Sequence, residues 1–155
     1  MQFTEWLKTR LAQIRDAETK YGVFVPIPGC DPWEIESFRE AIHRTFSVSV
    51  PDEYLDFLSL QDGGGELVSL FGTRPRLIEQ NGIEIHINGL IEENLELRDE
   101  HSRFEQMLLF GSSDMGYLGQ KVGSNIFVHI SSIGGHQIQT FSDAEEMIRY
   151  ALSGA

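Results

Sequence analysis

The spacing of apolar positions predicts three helices before any strand. Leu7, Leu11 and Ile14 recur at helical intervals over residues 4–20, with Thr4 placed to cap the helix and Phe3 just before the cap. Gly22 stops this helix, and VFVPIPG (23–29) is extended because a helix cannot continue through Pro26 and Pro28. Asp31-Pro32-Trp33-Glu34 opens a second helix. Asp31 caps it, proline takes the first helical position and Glu34 closes a capping box. Ile35, Phe38 and Ile42 form its apolar stripe, which fades near Thr45. A third helix begins at Pro51 with Tyr54, Leu55 and Leu58 facing inward, and Asp62-Gly63-Gly64-Gly65 ends it.

Beyond the glycines the period shortens to two. ELVSLF (66–71) reads as a strand, and PRLIEQ and IEIHI read as a hairpin joined by Asn81-Gly82, the dipeptide best suited to a two-residue turn. Ile83, Ile85 and Ile87 alternate with Glu84 and His86, so that one face is buried and the other wet. LIEENLELRDEHSRF (90–104) returns to a helical pattern. QMLLFGS, GYLGQKV, NIFVHIS and HQIQTF then give four strands divided by glycine turns at 116, 123 and 134–135. Ser142-Asp143-Ala144-Glu145 reads as a second capping box, opening a last helix over Met147, Ile148, Ala151 and Leu152. Short hairpin connections imply a mainly antiparallel sheet, so the expected class is α+β: one domain over 1–155, with N-terminal helices and a C-terminal helix packed on one face.

Charge narrows the function. The chain has 155 residues, 24 acidic and 12 basic side chains, and a formal charge of −12. The first 50 residues are nearly balanced at −1, and residues 51–155 carry −11. A chain this negative is repelled by phosphate backbones and anionic lipid, so direct nucleic-acid and membrane partners are disfavoured and a basic protein partner is expected. The single cysteine, Cys30, excludes an internal disulfide and multi-cysteine zinc patterns. Glu5 and Asp16 interrupt the first apolar stretch, so it does not read as a signal peptide, and no apolar run approaches the ~18 residues of a membrane span. The expected location is cytoplasmic.

The acids of the fourth helix cluster. At about 100° per residue, Glu92, Glu93, Glu96, Asp99 and Glu100 fall within roughly a third of the helix circumference, and Leu90, Ile91, Leu95 and Leu97 fall outside it. Arg103 returns to the same arc and is placed to pair with Asp99. Like charges four residues apart cost a few tenths of a kcal/mol each in an isolated helix. Both a solvated face and a dedicated binding face remain open. A second acidic set, Asp52, Glu53, Asp56 and Asp62, lies on or just after the third helix, where its first members are favoured by the helix dipole.

No catalytic constellation emerges. Gly63-Gly64-Gly65 lacks the lysine of a phosphate loop and follows a helix instead of preceding one. GSSDMGYLG contains no nucleophile elbow. His43, His86, His101, His129 and His136 show no metal-ligand spacing, although His129 and His136 flank a turn and can approach across a hairpin. Cys30 sits next to a helix cap, a position that lowers a thiol pKa, but no histidine partner is identifiable. Trp6, Trp33, Tyr54, Phe57 and Phe71 read as core. No catalytic residue, metal site or cofactor is expected.

VPDEYLDFLSLQDGGGE (50–66) resembles the stretch of the SUKH superfamily (Smi/Knr-type domains) in which a proline opens an aromatic- and leucine-bearing helix that ends in an Asn/Asp-Gly-Gly turn. The matching positions are Pro51, Tyr54, Phe57, Leu58, Asp62, Gly63 and Gly64, with Asp62 where the family often has asparagine. LVSLFG (67–72), MLLFGSSDMGYLGQKV (107–122) and TFSDAEEMIRYAL (140–152) are similar to the later strands and closing helix, so the likeness covers most of 35–152. The insert with Ile85, Asn94 and the acidic helix looks most like the YrhA-type bacterial branch. The resemblance implies an α+β domain without catalytic residues. Its bacterial members are commonly immunity proteins that neutralise polymorphic toxins, many of them nucleases, by direct binding; eukaryotic relatives regulate cell-wall assembly and signalling. The expectation is a toxin-binding immunity protein contacting its partner through Glu92, Glu93, Glu96, Asp99 and Glu100, with Asp52, Glu53 and Asp56 as a secondary patch. The alternative is a small acidic adaptor or chaperone that holds a peptide of a secreted or wall-assembly protein in an apolar groove or on a sheet edge.

Overall fold

In a computed structural model describing residues 2–153, three helices lead into the sheet region: α1 (Phe3–Lys20), α2 (Pro32–Phe46) and α3 (Asp52–Leu60). The outermost positions of the expected 1–155 domain lie outside the described residues. Helix α1 starts one residue earlier than the pattern predicts. Gln2 is its cap, its side chain accepts no capping hydrogen bond, and Thr4 lies inside the first turn. Helix α2 follows its sequence closely: Asp31 Oδ1 accepts from Glu34 N at 2.8 Å and Glu34 Oε1 accepts from Asp31 N at 3.1 Å, completing the box. Trp33, on its exposed first turn, is 76% exposed and not core. Helix α3 buries Tyr54, Phe57 and Leu58. It ends at Leu60 because Gln61 is already extended, so the glycines do not cap it. They shape the crossing that follows, where Gly64 and Leu70 exchange backbone hydrogen bonds at 2.8 and 3.1 Å. This closure throws Glu66 and Leu67 outward and shortens the expected 66–71 strand to β1 (Ser69–Leu70).

β2 (Arg76–Gln80) and β3 (Ile83–Ile87) form a separate two-stranded hairpin. Asn81 and Gly82 both have positive φ, 52° and 80°, the backbone handedness that a two-residue hairpin turn needs. Helix α4 (Leu90–Glu100) follows, then a 3-10 turn (Ser102–Gln106), where one continuous helix is expected from the sequence. The main sheet is antiparallel in the order β1-β4-β5-β6-β7, built from β4 (Met107–Ser112), β5 (Gly116–Lys121), β6 (Phe127–Ser131) and β7 (Gln137–Phe141). Helix α5 (Ala144–Ser153) closes the fold, with Met147, Ile148, Ala151 and Leu152 buried as the pattern predicts. Its box sits one residue later than expected: Asp143 accepts from Glu146 N at 2.8 Å, and Glu146 accepts from Ser142 N at 2.8 Å.

The helices occupy both sides of the sheet. Leu118 pairs with His129 and Tyr117 with Ile130, and adjacent residues on a strand point to opposite faces. Tyr150 of α5 meets His129, while Phe104 of the 3-10 turn packs edge-on against Tyr117 with ring centroids 5.4 Å apart. The segment 90–106 therefore covers the face opposite α5, which corrects the one-sided packing expected above. The α+β class, the leading helices, the antiparallel sheet and the closing helix are as the sequence indicates. Among the described residues no helix is long and apolar enough to cross a membrane.

Candidate functional site

Helix α4 is held by its two least conspicuous polar residues. β1 pairs with β4 only at Gly111 and Ser112, so the same edge of β4 is bare from Met107 to Leu109. Asn94, 1% exposed, fills the gap: its Oδ1 accepts from Leu109 N and its Nδ2 donates to Leu109 O, both at 2.8 Å. Arg98 donates to Met107 O at 2.5 Å and lays its guanidinium over the Phe46 ring. These contacts, with buried Leu90 and Leu97, turn Glu92, Glu96, Asp99 and Glu100 to solvent.

Glu93 is half-buried beside them. Burial, followed by the negative charges of Glu96 and Glu100, raises its pKa above the ordinary carboxylate value. Burial and the charges of Glu93 and Glu100 likewise push the Tyr117 phenol up, so the tyrosine faces the same acidic surface. Among the described residues, no Lys, Arg or His nitrogen lies within 4.0 Å of any of the five carboxylates. Arg103 does not pair with Asp99. The helix ends at Glu100, and the 3-10 turn sends the guanidinium to Ser132 O at 3.2 Å and over the Phe104 ring.

The secondary acids form a different patch. Asp52 and Glu53 line a depression of about 460 Å³ with Gln120, Asn125 and Asp143, and no α4 residue borders it. Asp56 has its pKa raised by burial and then by Asp52 and Glu53. Asp62 is not a surface acid at all. It is fully buried, and its Oδ2 accepts from Arg76 Nε at 2.9 Å and Nη2 at 2.7 Å.

The remaining chemistry resolves into structure. Cys30 is buried beside Asp62, and burial followed by that charge pushes the thiol up to about 11, opposite to the lowering expected from the helix cap. A thiol so protonated is a poor nucleophile at neutral pH. His129 does not approach His136. Its Nε2 lies 3.2 Å from Ser113 Oγ and its Nδ1 lies 3.0 Å from the Tyr150 hydroxyl. Ser113 Oγ already accepts from Met115 N and Gly116 N, both at 3.2 Å. The hydroxyl also lies 3.4 Å from Gly116 O, so Gly116 O and His129 Nε2 are both within its reach. Ser113 thus clasps the turn through Met115 N and Gly116 N and touches His129. Among the described residues no group of three or more His, Cys, Asp or Glu side chains is arranged to hold a metal ion.

His129 gives the fold a measurable pH response. Burial, at 2% exposure, lowers its pKa below 6.5, so the folded state favours neutral imidazole. An unfolded chain takes up the proton first, and stability is lost as pH falls below about 6.5 through the lower folded value. Glu18, Asp56 and Glu93 act oppositely: their folded values are raised, so their protonation favours the fold as pH falls. Comparison with His129→Gln isolates the histidine. The variant is expected to lose about 1 kcal/mol at pH 7 and to show a smaller loss than the parent between pH 7 and 5 in urea unfolding.

No family model matches the chain, and comparison with curated proteins and with solved structures finds no match. The likeness to the SUKH superfamily therefore rests on its short motifs.

Proposed function

We propose that this domain is a cytoplasmic immunity protein, which acts by binding a basic toxin domain through the acidic face of α4. The observation that carries this reading is the exposed set Glu92, Glu96, Asp99 and Glu100, with half-buried Glu93, left without a basic side chain within 4.0 Å among the described residues. A face serving only solubility gains from interspersed lysines; a face that meets a cationic partner is weakened by them. A nuclease cleft is basic because it holds phosphates, and a surface of carboxylates fits such a cleft and steers association toward it. The Asp52–Glu53 depression offers a second acidic contact on a separate part of the surface.

The test is stopped-flow association with a candidate basic toxin domain, sought first in the reading frames beside this gene. Glu92→Lys/Glu96→Lys/Asp99→Lys is expected to slow association about 10- to 100-fold at low ionic strength and to flatten its salt dependence. An unchanged rate and salt slope would remove α4 from the interface. Capture that persists in 1 M salt would favour the adaptor reading, in which apolar contacts dominate.

A further inference from the structure

The two edges of the main sheet differ. At one, Asn94 and Arg98 close the stretch of β4 that β1 leaves bare. At the other, β7 pairs with β6 and with no further strand among the described residues. Gln137, Ile138, Gln139 and Thr140 are all exposed, so both faces of the strand are open as well as its edge. The β6–β7 register shifts once, between His129 and Ile130, but Gln139 to Phe141 pair regularly. Natural sheets guard such an edge with charges, because its free N–H and C=O groups template pairing with another chain. The β2–β3 hairpin follows that rule with Arg76, Glu79 and Glu84. β7 does not. From Val122 to Ser142 the chain has no Asp, Glu, Lys or Arg, although 24 acidic and 12 basic side chains fill the rest. The same uncharged stretch exposes Val122, Ile126, Ile133 and Ile138, and Ile133 is 83% exposed.

We infer that β7 is a self-association edge: a second copy of this chain lays its own β7 antiparallel against it about a two-fold axis, joining the two sheets into one. A two-fold pairing sets a strand against itself, so any charge on it meets its own copy, and like charges across a strand pair are destabilising. In a chain of formal charge −12, an uncharged edge is what such pairing requires. A strand donated by a basic partner would instead be favoured by carboxylates along the edge. Charges at the two ends of β7 are complementary. Arg103 lies against the 132–135 turn, donating to Ser132 O at 3.2 Å, and has no carboxylate within 4.0 Å among the described residues. Asp143 is exposed just past the other end of the strand, with no basic nitrogen within 4.0 Å among the described residues. Antiparallel self-pairing centred on Gln139 or Thr140 brings the 132–135 turn of each copy beside Ser142 and Asp143 of the other, so that Arg103 meets an acid at both ends of the seam. The acidic α4 faces stay clear of it. Each is held to β4, and the two β4 strands lie about 34 Å apart at the ~4.8 Å spacing of paired strands. That is far beyond the ~8 Å screening length at physiological salt. The edge lies apart from α4, and self-pairing there stands or falls separately from toxin binding.

Sedimentation equilibrium of the unaltered protein, from about 5 to 500 µM, is expected to show a monomer–dimer equilibrium with a dissociation constant of about 10–100 µM, as suits a seam at the small end of specific interfaces. Concentration-dependent ¹⁵N amide shifts should centre on 137–141. Thr140 is exposed in the single chain, so Thr140→Lys should leave the urea midpoint unchanged while weakening association about tenfold or more. Arg103→Glu should weaken it about fivefold at low ionic strength, and that loss should shrink in about 0.5 M salt. A chain that stays monomeric at the top of the concentration range overturns the inference; if its β7 amides shift only when a basic toxin domain is added, the edge belongs to that partner. A dimer indifferent to Thr140→Lys, or shifts centred on α4 or on the β2–β3 hairpin, would place the contact elsewhere and equally overturn it. The shift map uses the unaltered protein, so it decides the matter even if a variant perturbs folding.

Discussion

Asp62→Ala is expected to cost about 3–5 kcal/mol, the largest loss from any single acidic residue in the chain, and to be read as a lower midpoint in urea unfolding. The carboxylate is fully buried and carries four hydrogen bonds. Oδ1 accepts from Thr73 N at 2.7 Å; Oδ2 accepts from Thr73 Oγ1 at 2.9 Å and from Arg76 Nε and Nη2 at 2.9 and 2.7 Å. Truncation leaves the Arg76 guanidinium, only 16% exposed, without its counterion and removes the partner of the half-buried Thr73 N–H. Domains of this kind have about 5–15 kcal/mol of stability in total, so the variant falls toward the unfolding threshold. Asp62→Asn should recover part of the loss, since its carbonyl still accepts from Thr73 N while its amide faces the donors of Arg76. The site also fixes its neighbours. A Cβ on Gly72 would stand 2.8 Å from Asp62 O and 2.9 Å from Oδ1, so Gly72→Ala should push the loop off the carboxylate. Arg76 opens β2, and the ion pair thereby ties the separate hairpin to the end of α3. Intact structure with a stability loss below about 1 kcal/mol for Asp62→Ala would show the pair to be exposed in solution, as surface pairs contribute little.

Asp62 also marks where sequence pattern stops being informative. Helix α2, the Asn81-Gly82 hairpin, the four later strands and the buried stripe of α5 were all legible, because local chemistry fixes each: a cap, a turn dipeptide, a period. The α4 acids were legible for the same reason, since helix geometry alone places Glu92, Glu96, Asp99 and Glu100 on one arc. Asp62 reads as one more surface acid until the chain brings Thr73 and Arg76 to it, eleven and fourteen residues later. The contact of Ser113 with His129 and the exposure of Trp33 are likewise set by tertiary packing that no local window contains. The 66–71 strand failed because the Gly64–Leu70 closure uses the backbone groups that a longer β1 would need. Arg103 failed as a partner for Asp99 because the helix stops three residues before it. What remained hidden was the packing and chain geometry that decide whether a local preference is kept.

Asn94→Leu is expected to be the second most damaging change, at about 2–5 kcal/mol, from two buried backbone groups left without partners at once. Leu109 N and O both depend on the Asn94 amide, and the bare stretch of β4 has no strand to replace it. Register along β4 shifts between Leu109 and Gly111, so the peptide that Asn94 holds lies at the bulge itself, where pairing is already interrupted. Asn94→Asp separates the two bonds. Its carboxylate accepts from Leu109 N but donates nothing to Leu109 O, and it buries a charge. Protonation restores the donor, so this variant, unlike the parent, should gain stability as pH falls through the raised pKa of the new carboxyl. Hydrogen exchange at Leu109 should accelerate in both variants, while the β5–β6 amides remain protected at the level set by global stability. The same substitutions distinguish charge from placement at the proposed interface. Asn94→Asp adds an acid and Asn94→Leu adds none, yet both loosen the helix that carries Glu92, Glu96, Asp99 and Glu100. If the face works by steering alone, the on-rate for a basic partner should stay within about threefold of the parent in each. If it works by fitting a defined cleft, complex lifetimes should shorten in both, because the carboxylates no longer hold one geometry relative to the sheet.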